Sequence, residues 1–251
     1  MPLIDDLIAN VDYPDAIVND VRVGVTWTAV VSERCGLAKT YGIPVAHKVR
    51  IRDAGKMIGK KALDLAEYAK SWNQVEASIG VAALNSMIEP KGSLEGNGLK
   101  LFKEKTIGKR AVMVGRFPIS IEEIAASAKE FWILELNPAI VNPEGRVLPV
   151  TAAPTVLSNA DVVAVTGSTL INQSLEYFLS LCKQAFTIVL GPSTPMLAVL
   201  YDYGADVIAG TEVLRPDGVL AVLSQGGGRI HPRTFGNDIQ FRMMNASDVD
   251  R

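Results

Sequence analysis

Five short apolar runs constrain this chain more than any other feature: RAVMVG (110–115), FWILELN (131–137), DVVAVTG (161–167), FTIVLG (186–191) and DVIAG (206–210). Each ends in Gly or Asn, and helical patterns lie between most of them. In LINQSLEYFLSLC the residues Ile171, Leu175, Phe178, Leu179 and Cys182 share one helical face. Strands that are apolar throughout have both faces buried, which indicates a parallel sheet covered by helices on either side. Right-handed crossovers turn such a sheet into a doubly wound, Rossmann-like α/β layer. The connection from Pro138 to Ala160 lacks a clear period and carries Pro138, Pro143, Pro149 and Pro154, so it is expected to be a long loop with one helical turn.

The first hundred residues have another rhythm and read as α+β. PLIDDLIANV suits a short helix with Leu3, Leu7 and Ile8 on one side. In VRVGVTWTAVV, Val21, Val23, Val25, Trp27 and Ala29 alternate with Arg22, Gly24, Thr26 and Thr28, the period of one half-buried strand. CGLAKTYGIP holds a turn and a returning strand. Leu63, Ala66, Tyr68 and Ala69 suit one helix, and QVEASIGVAALNSMI suits a second that is buried on most sides. The segment EPKGSLEGNGLK (89–100), rich in Gly and mixed charge, marks the domain boundary. The expected division is 1–95 and 96–251, and 251 residues are enough for two modest cores.

In an open parallel sheet, ligands bind beyond the carboxyl ends of the strands. Those ends here are GRFPIS (115–120), ELNP (135–138), TGST (166–169), GPSTP (191–195) and AGTE (209–212). Capping explains part of this chemistry. Ser120 with Glu123 fits a capping box, Ser168 or Thr169 can cap the long helix, and Thr194 can cap the next with Pro195 at its first position. Capping uses one hydroxyl per helix and leaves the additional ones unexplained. Paired helix starts at these corners would offer amide donors to an anionic or carbonyl group. The hydroxyl-rich corners with Thr166, Gly167, Ser168, Thr169, Gly191, Pro192, Ser193 and Thr194 are therefore the candidate binding loops, with Glu135 as the candidate catalytic carboxylate. SQGGGRIHPRTFG (224–236) permits either a close backbone approach to a ligand or a plain turn, and His231 sits beside either the cleft or open solvent.

Charge and composition exclude several classes. A net charge of −2 argues against a general nucleic-acid binder. The acidic amino-terminal stretch does not suit a signal peptide, and no apolar run is long enough to span a bilayer, so a cytoplasmic protein is expected. Cys35 and Cys182 are too few for a disulfide framework. With His47 and His231 the only histidines, a closed zinc site of nitrogen and sulfur ligands is not expected. A bound metal would need oxygen ligands such as Glu135 and Asn137, or a partner molecule that brings its own donors. The dinucleotide fingerprint is absent, since Gly115 is followed by Arg116, Phe117 and Pro118. The basic residues from Lys39 to Lys61 form either a solvated surface or one positive wall of a cleft.

Taken together, VGRFP, LELNP, ADVVAVTGSTLIN, GPSTPM, AGTEVL and SQGGG resemble the putative heavy-metal chelation domain, a family of unknown function. GVTWTAVV, AGKMIGKKALDLAEYA and SIGVAALNSM resemble the smaller domain that precedes it. The resemblance implies an amino-terminal domain similar to that of enolase, a Rossmann-like domain after it, and a cleft between them. Carried onto this sequence, the resemblance implies a site of Gly115, Phe117, Pro118, Glu135, Asn137, Thr166, Gly167, Ser168, Asn172, Gly191, Ser193 and Thr194. It adds Trp27, Thr28 and Asn85 as residues facing that cleft, although periodicity alone makes Trp27 a core residue. The expected ligand is a small anionic molecule or metal–ligand complex, the metal and any other cofactor being unknown. The alternatives are a small-molecule enzyme of lyase or transferase type with Glu135 as general base, and a non-catalytic binding module. Where the chain self-associates, a homodimer is the expected form.

Overall fold

The computed structural model describes residues 2–41, 50–93, 97–228 and 230–246. The expected boundary at 95/96, along with His47 and Lys48, lies outside the described residues.

The amino-terminal part comprises α1 (Pro2–Ala9), β1 (Asp20–Val23), β2 (Trp27–Val31), β3 (Cys35–Lys39), α2 (Ala62–Ala66) continued by a 3-10 turn at Glu67–Lys70, and α3 (Gln74–Ser86). The three strands form an antiparallel sheet in the order β1-β2-β3. The single strand expected across 21–31 is in fact a hairpin, with Val23 opposite Thr28 and the Gly24 amide donating to the Trp27 carbonyl at 3.0 Å. Val23 and Val25 accordingly lie exposed at its tip. Asn73 caps α3, its Oδ1 accepting from Val75 N at 3.0 Å. That helix is buried nearly all round because two glycines let main chains touch it. A Cβ on Gly80 would land inside the backbone of Tyr68 and Ala69, and one on Gly36, in β3, inside that of Ala82 and Ser86.

The remainder comprises α4 (Gly98–Lys105), β4 (Arg110–Val114), α5 (Ile121–Ser127), β5 (Glu130–Glu135), β6 (Val147–Pro149), α6 (Ala153–Leu157), β7 (Val162–Thr166), α7 (Leu175–Leu181), β8 (Phe186–Leu190), α8 (Val199–Asp202), β9 (Val207–Val213), α9 (Pro216–Ser224), α10 (Pro232–Phe235) and β10 (Ile239–Asn245). The seven-stranded sheet runs β10-β9-β8-β7-β4-β5-β6. Every pair in it is parallel except β9 with β10. The chain leaves the middle of this sheet in both directions, so β4 and β7 flank a switch point of the kind where ligands lodge. Both faces are covered. Ala111, Met113, Phe131, Ile133, Ala164 and Ile188 pack with Phe102 of α4 and Ile124 of α5. On the opposite face, Val112, Val163, Val165 and Val189 join one continuous cluster with α1, α3 and α7.

Three further sequence expectations need correction. The 138–160 segment contains the edge strand β6 and the helix α6 as well as loop. The carboxyl-terminal strand β10 gave no periodic signal. Helix α7 starts only at Leu175, after a 3-10 turn at Gly167–Leu170, and no helix begins at Pro195. The side-chain face expected for α7 nevertheless holds: Ile171, Leu175, Phe178, Leu179 and Cys182 are all buried.

Candidate functional site

A cavity of about 900 Å³ opens at the carboxyl ends of β4, β5, β7 and β8, and the small sheet closes one side of it. The strand ends arrive there for local reasons. Gly115, at φ +87°, turns the chain out of β4, and a Cβ there would stand 2.8 Å from Thr166 Cγ2. Gly191, at φ +114°, makes the equivalent turn after β8.

Of the residues singled out above, twelve line the cavity: Trp27, Gly115, Phe117, Pro118, Glu135, Thr166, Ser168, Thr169, Asn172, Gly191, Pro192 and Ser193. His231 and Gly228 also reach it. Five do not line it. Thr28 is fully buried and bonds the Thr40 hydroxyl at 2.9 Å. Asn85 donates from Nδ2 to the Leu37 carbonyl at 2.9 Å, away from the cavity. Asn137 is exposed and caps the 3-10 turn Pro138–Ile140 through Ala139 N at 3.0 Å. Gly167 is packed against Thr194, where an added Cβ would meet Thr194 Cα at 2.7 Å. Thr194 caps nothing, and its buried Oγ1 has no hydrogen-bond partner among the described residues.

The hydroxyl corners are tied together. Thr166 Oγ1 accepts from Ser168 N at 3.4 Å and shares a hydrogen bond with Ser168 Oγ at 2.9 Å. Ser168 Oγ lies 3.3 Å from the Tyr41 hydroxyl, and Thr169 Oγ1 donates to the Thr166 carbonyl at 2.6 Å. Neither Ser168 nor Thr169 caps α7, contrary to expectation, because a 3-10 turn intervenes. Ser193 Oγ accepts from Lys39 N at 2.9 Å, fastening the β8 corner to the small sheet. The Ser120 cap is real, with Oγ accepting from Glu123 N at 3.3 Å. The Glu123 carboxylate, however, turns to Lys103 and does not close a capping box.

Glu135 is the one carboxylate lining the cavity among the described residues. Its Oε1 accepts from Leu136 N at 2.8 Å and Asn137 N at 3.1 Å, which fixes the carboxylate at the end of β5. Cations outnumber it: Lys39, Lys100, Lys103, Arg116 and Arg242 all line the walls. Lys103 is paired with Glu123 and Arg242 with Glu212. Lys39, Lys100 and Arg116 make no ion pair among the described residues. Lys39 Nζ stands 5.1 Å from the centroid of the Trp27 ring, and partial burial pulls its pKa down. The Trp27 indole donates to the Gly228 carbonyl at 3.0 Å, so this ring forms cavity wall and is not core. Burial pushes the Tyr41 phenol up; the Ser168 hydrogen bond works against that, and the charge of Glu135 adds to it.

The run from Lys39 to Lys61 divides. Arg52, Lys60 and Lys61 pair with Glu76, Asp53 and Asp15, and of the described members only Lys39 lines the cavity. Sequence reasoning missed Tyr41 and Arg242 outright. Both lie outside the strand-end corners, and only tertiary packing brings them in.

Among the described residues no group of three or more His, Cys, Asp or Glu side chains is placed to hold a metal ion. The cavity offers one carboxylate and one imidazole, whose Nδ1 already accepts from Arg233 N at 3.0 Å. Cys35 and Cys182 are buried and neither lines the cavity, and desolvation raises each thiol to about 12. This donor set does not fit a directly ligated heavy metal.

These features define a mixed α/β protein with a large, mostly parallel sheet, a small antiparallel sheet and a cation-rich cavity where the two meet. The chain belongs to the DUF364 family: that family model, described as "Putative heavy-metal chelation", matches residues 97–241. The DUF4213 model carries the same description and matches residues 4–88. Among curated proteins the chain is similar to Uncharacterized protein MJ0500 of Methanocaldococcus jannaschii, 28% identical over 172 residues. The match covers 66% of each chain, so this protein spans 66% of that relative's length. Two crystal structures of DUF364 proteins of unknown function share the fold. The one from Desulfitobacterium hafniense has a TM-score of 0.80 at 22% identity, covering 97% of this chain and 98% of that one. The one from Pyrococcus horikoshii has 0.77 at 19%, with the same coverage of 97% and 98%. Among the described residues no helix is long and apolar enough to cross a membrane.

Proposed function

We propose that the cavity binds a small anionic molecule, and that any heavy metal this protein handles arrives already wrapped in such a molecule, as cargo. The observation that carries this reading is the imbalance of charge in the cavity: of its five cations, Lys39, Lys100 and Arg116 make no ion pair among the described residues, against the single carboxylate of Glu135. A cavity with low-dielectric walls and one sign of charge concentrates ions of the other sign. The donor set points the same way, because a complexed metal needs no protein ligands. In this reading the large sheet is a Rossmann-like domain, 96–251. The small sheet with its helices is an enolase-amino-terminal-like domain, 1–95, and the ligand sits in the cleft between them in a cytoplasmic protein.

A calorimetric titration tests it, with ferric citrate, citrate and a zinc salt as probes. Citrate and its ferric complex bind and raise the melting temperature, as any ligand of the folded state must. The zinc salt does neither. Lys39→Ala combined with Arg116→Ala weakens citrate binding by about a hundredfold or more, since hydrogen bonds to charged groups contribute about 1.5–3 kcal/mol each. Binding of bare zinc with no binding of either anion would refute the proposal. A second reading, a lyase or transferase with Glu135 as general base, draws on the way two amides hold Oε1 and leave Oε2 without a hydrogen bond among the described residues. In that case Glu135→Gln retains the bound molecule and loses its turnover. A non-catalytic module would show binding with no turnover in either protein.

A further inference from the structure

A second, small cavity of about 20 Å³ lies on the seam between the sheets, and Pro192 and Thr211 line it as well as the large cavity. Its wall also includes Arg34, Cys35, Asn85, Thr194 and Glu212. Three buried side-chain oxygens without a hydrogen-bond partner among the described residues belong to residues of this one wall: Asn85 Oδ1, Thr194 Oγ1 and Thr211 Oγ1. Asn85 has no better orientation, because its Nδ2 donates to the Leu37 carbonyl and a flipped amide would face oxygen with oxygen. Thr194 is only 4% exposed. Buried polar atoms of this kind are nearly always satisfied, and here three residues that carry them line the same small space.

We propose that this cavity is a binding site for one ordered water molecule that joins the small sheet's helix α3 to the corner after β8. Size and chemistry both select water. A water needs roughly 10–15 Å³ of such space and two to four polar partners, which this cavity supplies. Arg34 and Glu212 on this wall pair with each other at 3.8 Å, so an ion of either sign would meet a like charge. Water donates to Asn85 Oδ1 and to one threonine hydroxyl, and accepts from the other.

Thr194→Val and Thr211→Val keep side-chain shape and remove one hydroxyl each. With a shared water, each variant melts about 2–4 °C lower, the shift typical of one lost interaction in a protein of this size. The double variant loses less than the sum, because the second change acts on a site already weakened. In a dry cavity the sign reverses, since replacing an orphaned hydroxyl with a methyl removes a penalty. Unchanged or raised melting temperatures, or strict additivity, overturn the proposal. A crystal structure of the unaltered protein that orders interior waters decides the matter where a variant fails to fold. Density within hydrogen-bonding distance of Asn85 Oδ1 and Thr211 Oγ1 supports the site, and a void or a side chain there ends it.

Discussion

Gly80 shows how much one missing methyl group can decide. It sits in the middle of α3 (Gln74–Ser86), where glycine costs helix stability, yet the main chain of Tyr68 and Ala69 occupies the space a Cβ would take. Gly80→Ala therefore lowers the urea midpoint with an unchanged m-value, a loss of about 1–3 kcal/mol from overpacking rather than the gain expected of alanine in an ordinary helix. An equal or higher midpoint would show that α3 can move aside. The sequence marked Gly80 as helical but gave no hint of the chain pressed against it. The same division runs through the cavity. Gly115, Thr166, Ser168 and Ser193 were readable because strand-end corners have a local signature of glycine and hydroxyls. Tyr41 has no such signature: its hydroxyl meets Ser168 from a position 127 residues away. Thr194 was misread for the converse reason, since a Thr-Pro pair imitates a helix start where no helix follows.

At the level of elements, β4 and β7 are joined at their entry ends as well as along their length. Asp161, just ahead of β7, accepts from Arg110 N at 2.8 Å and from Arg110 Nη2 at 2.9 Å. The Arg110 side chain and amide hold the Asp161 carboxyl down at about 2, against an ordinary 3.8. A depressed acid stabilises the fold fully above its unfolded pKa, and that contribution fades as pH falls through the folded value. Asp161→Asn should thus melt below the unaltered protein at neutral pH, with the gap closing between about pH 4 and pH 2. A gap constant over that range would mean that the pairing contributes nothing as a charge. The strands most legible in the sequence were the buried parallel ones, whose apolar runs are unbroken. The missed strands lie at the two sheet edges: β6 is three residues long and ends in Pro149, and β10 reads IQFRMMN with mixed polarity. Edge strands are selected by their partner, so their own residues say little.

For the molecule as a whole, one apolar cluster runs from Leu3, Leu7 and Ile79 of the amino-terminal part to Val112, Val165 and Val189 of the large sheet. Hydrogen bonds follow the same seam, with Gln173 Nε2 donating to the Ser71 carbonyl at 3.1 Å and Tyr203 to Asp6 at 2.6 Å. Two sheets sharing one core should unfold together. Far-ultraviolet circular dichroism and tryptophan fluorescence are expected to trace a single coincident transition, and separate midpoints would split the molecule into independent parts. The sequence puts a domain boundary in the Gly-rich, mixed-charge segment 89–100, and periodicity, which reports each element's faces, does not say which faces later meet. One strand carries this union to an unexpected place. β10 pairs with β9, bridges through Met243 to Ser93, and contributes Phe241 and Arg242 to the cavity wall. A chain without residues 239–245 would therefore keep the strand-end corners of the cavity at Gly115, Thr166 and Gly191 and lose the stretch of wall that Phe241 and Arg242 supply.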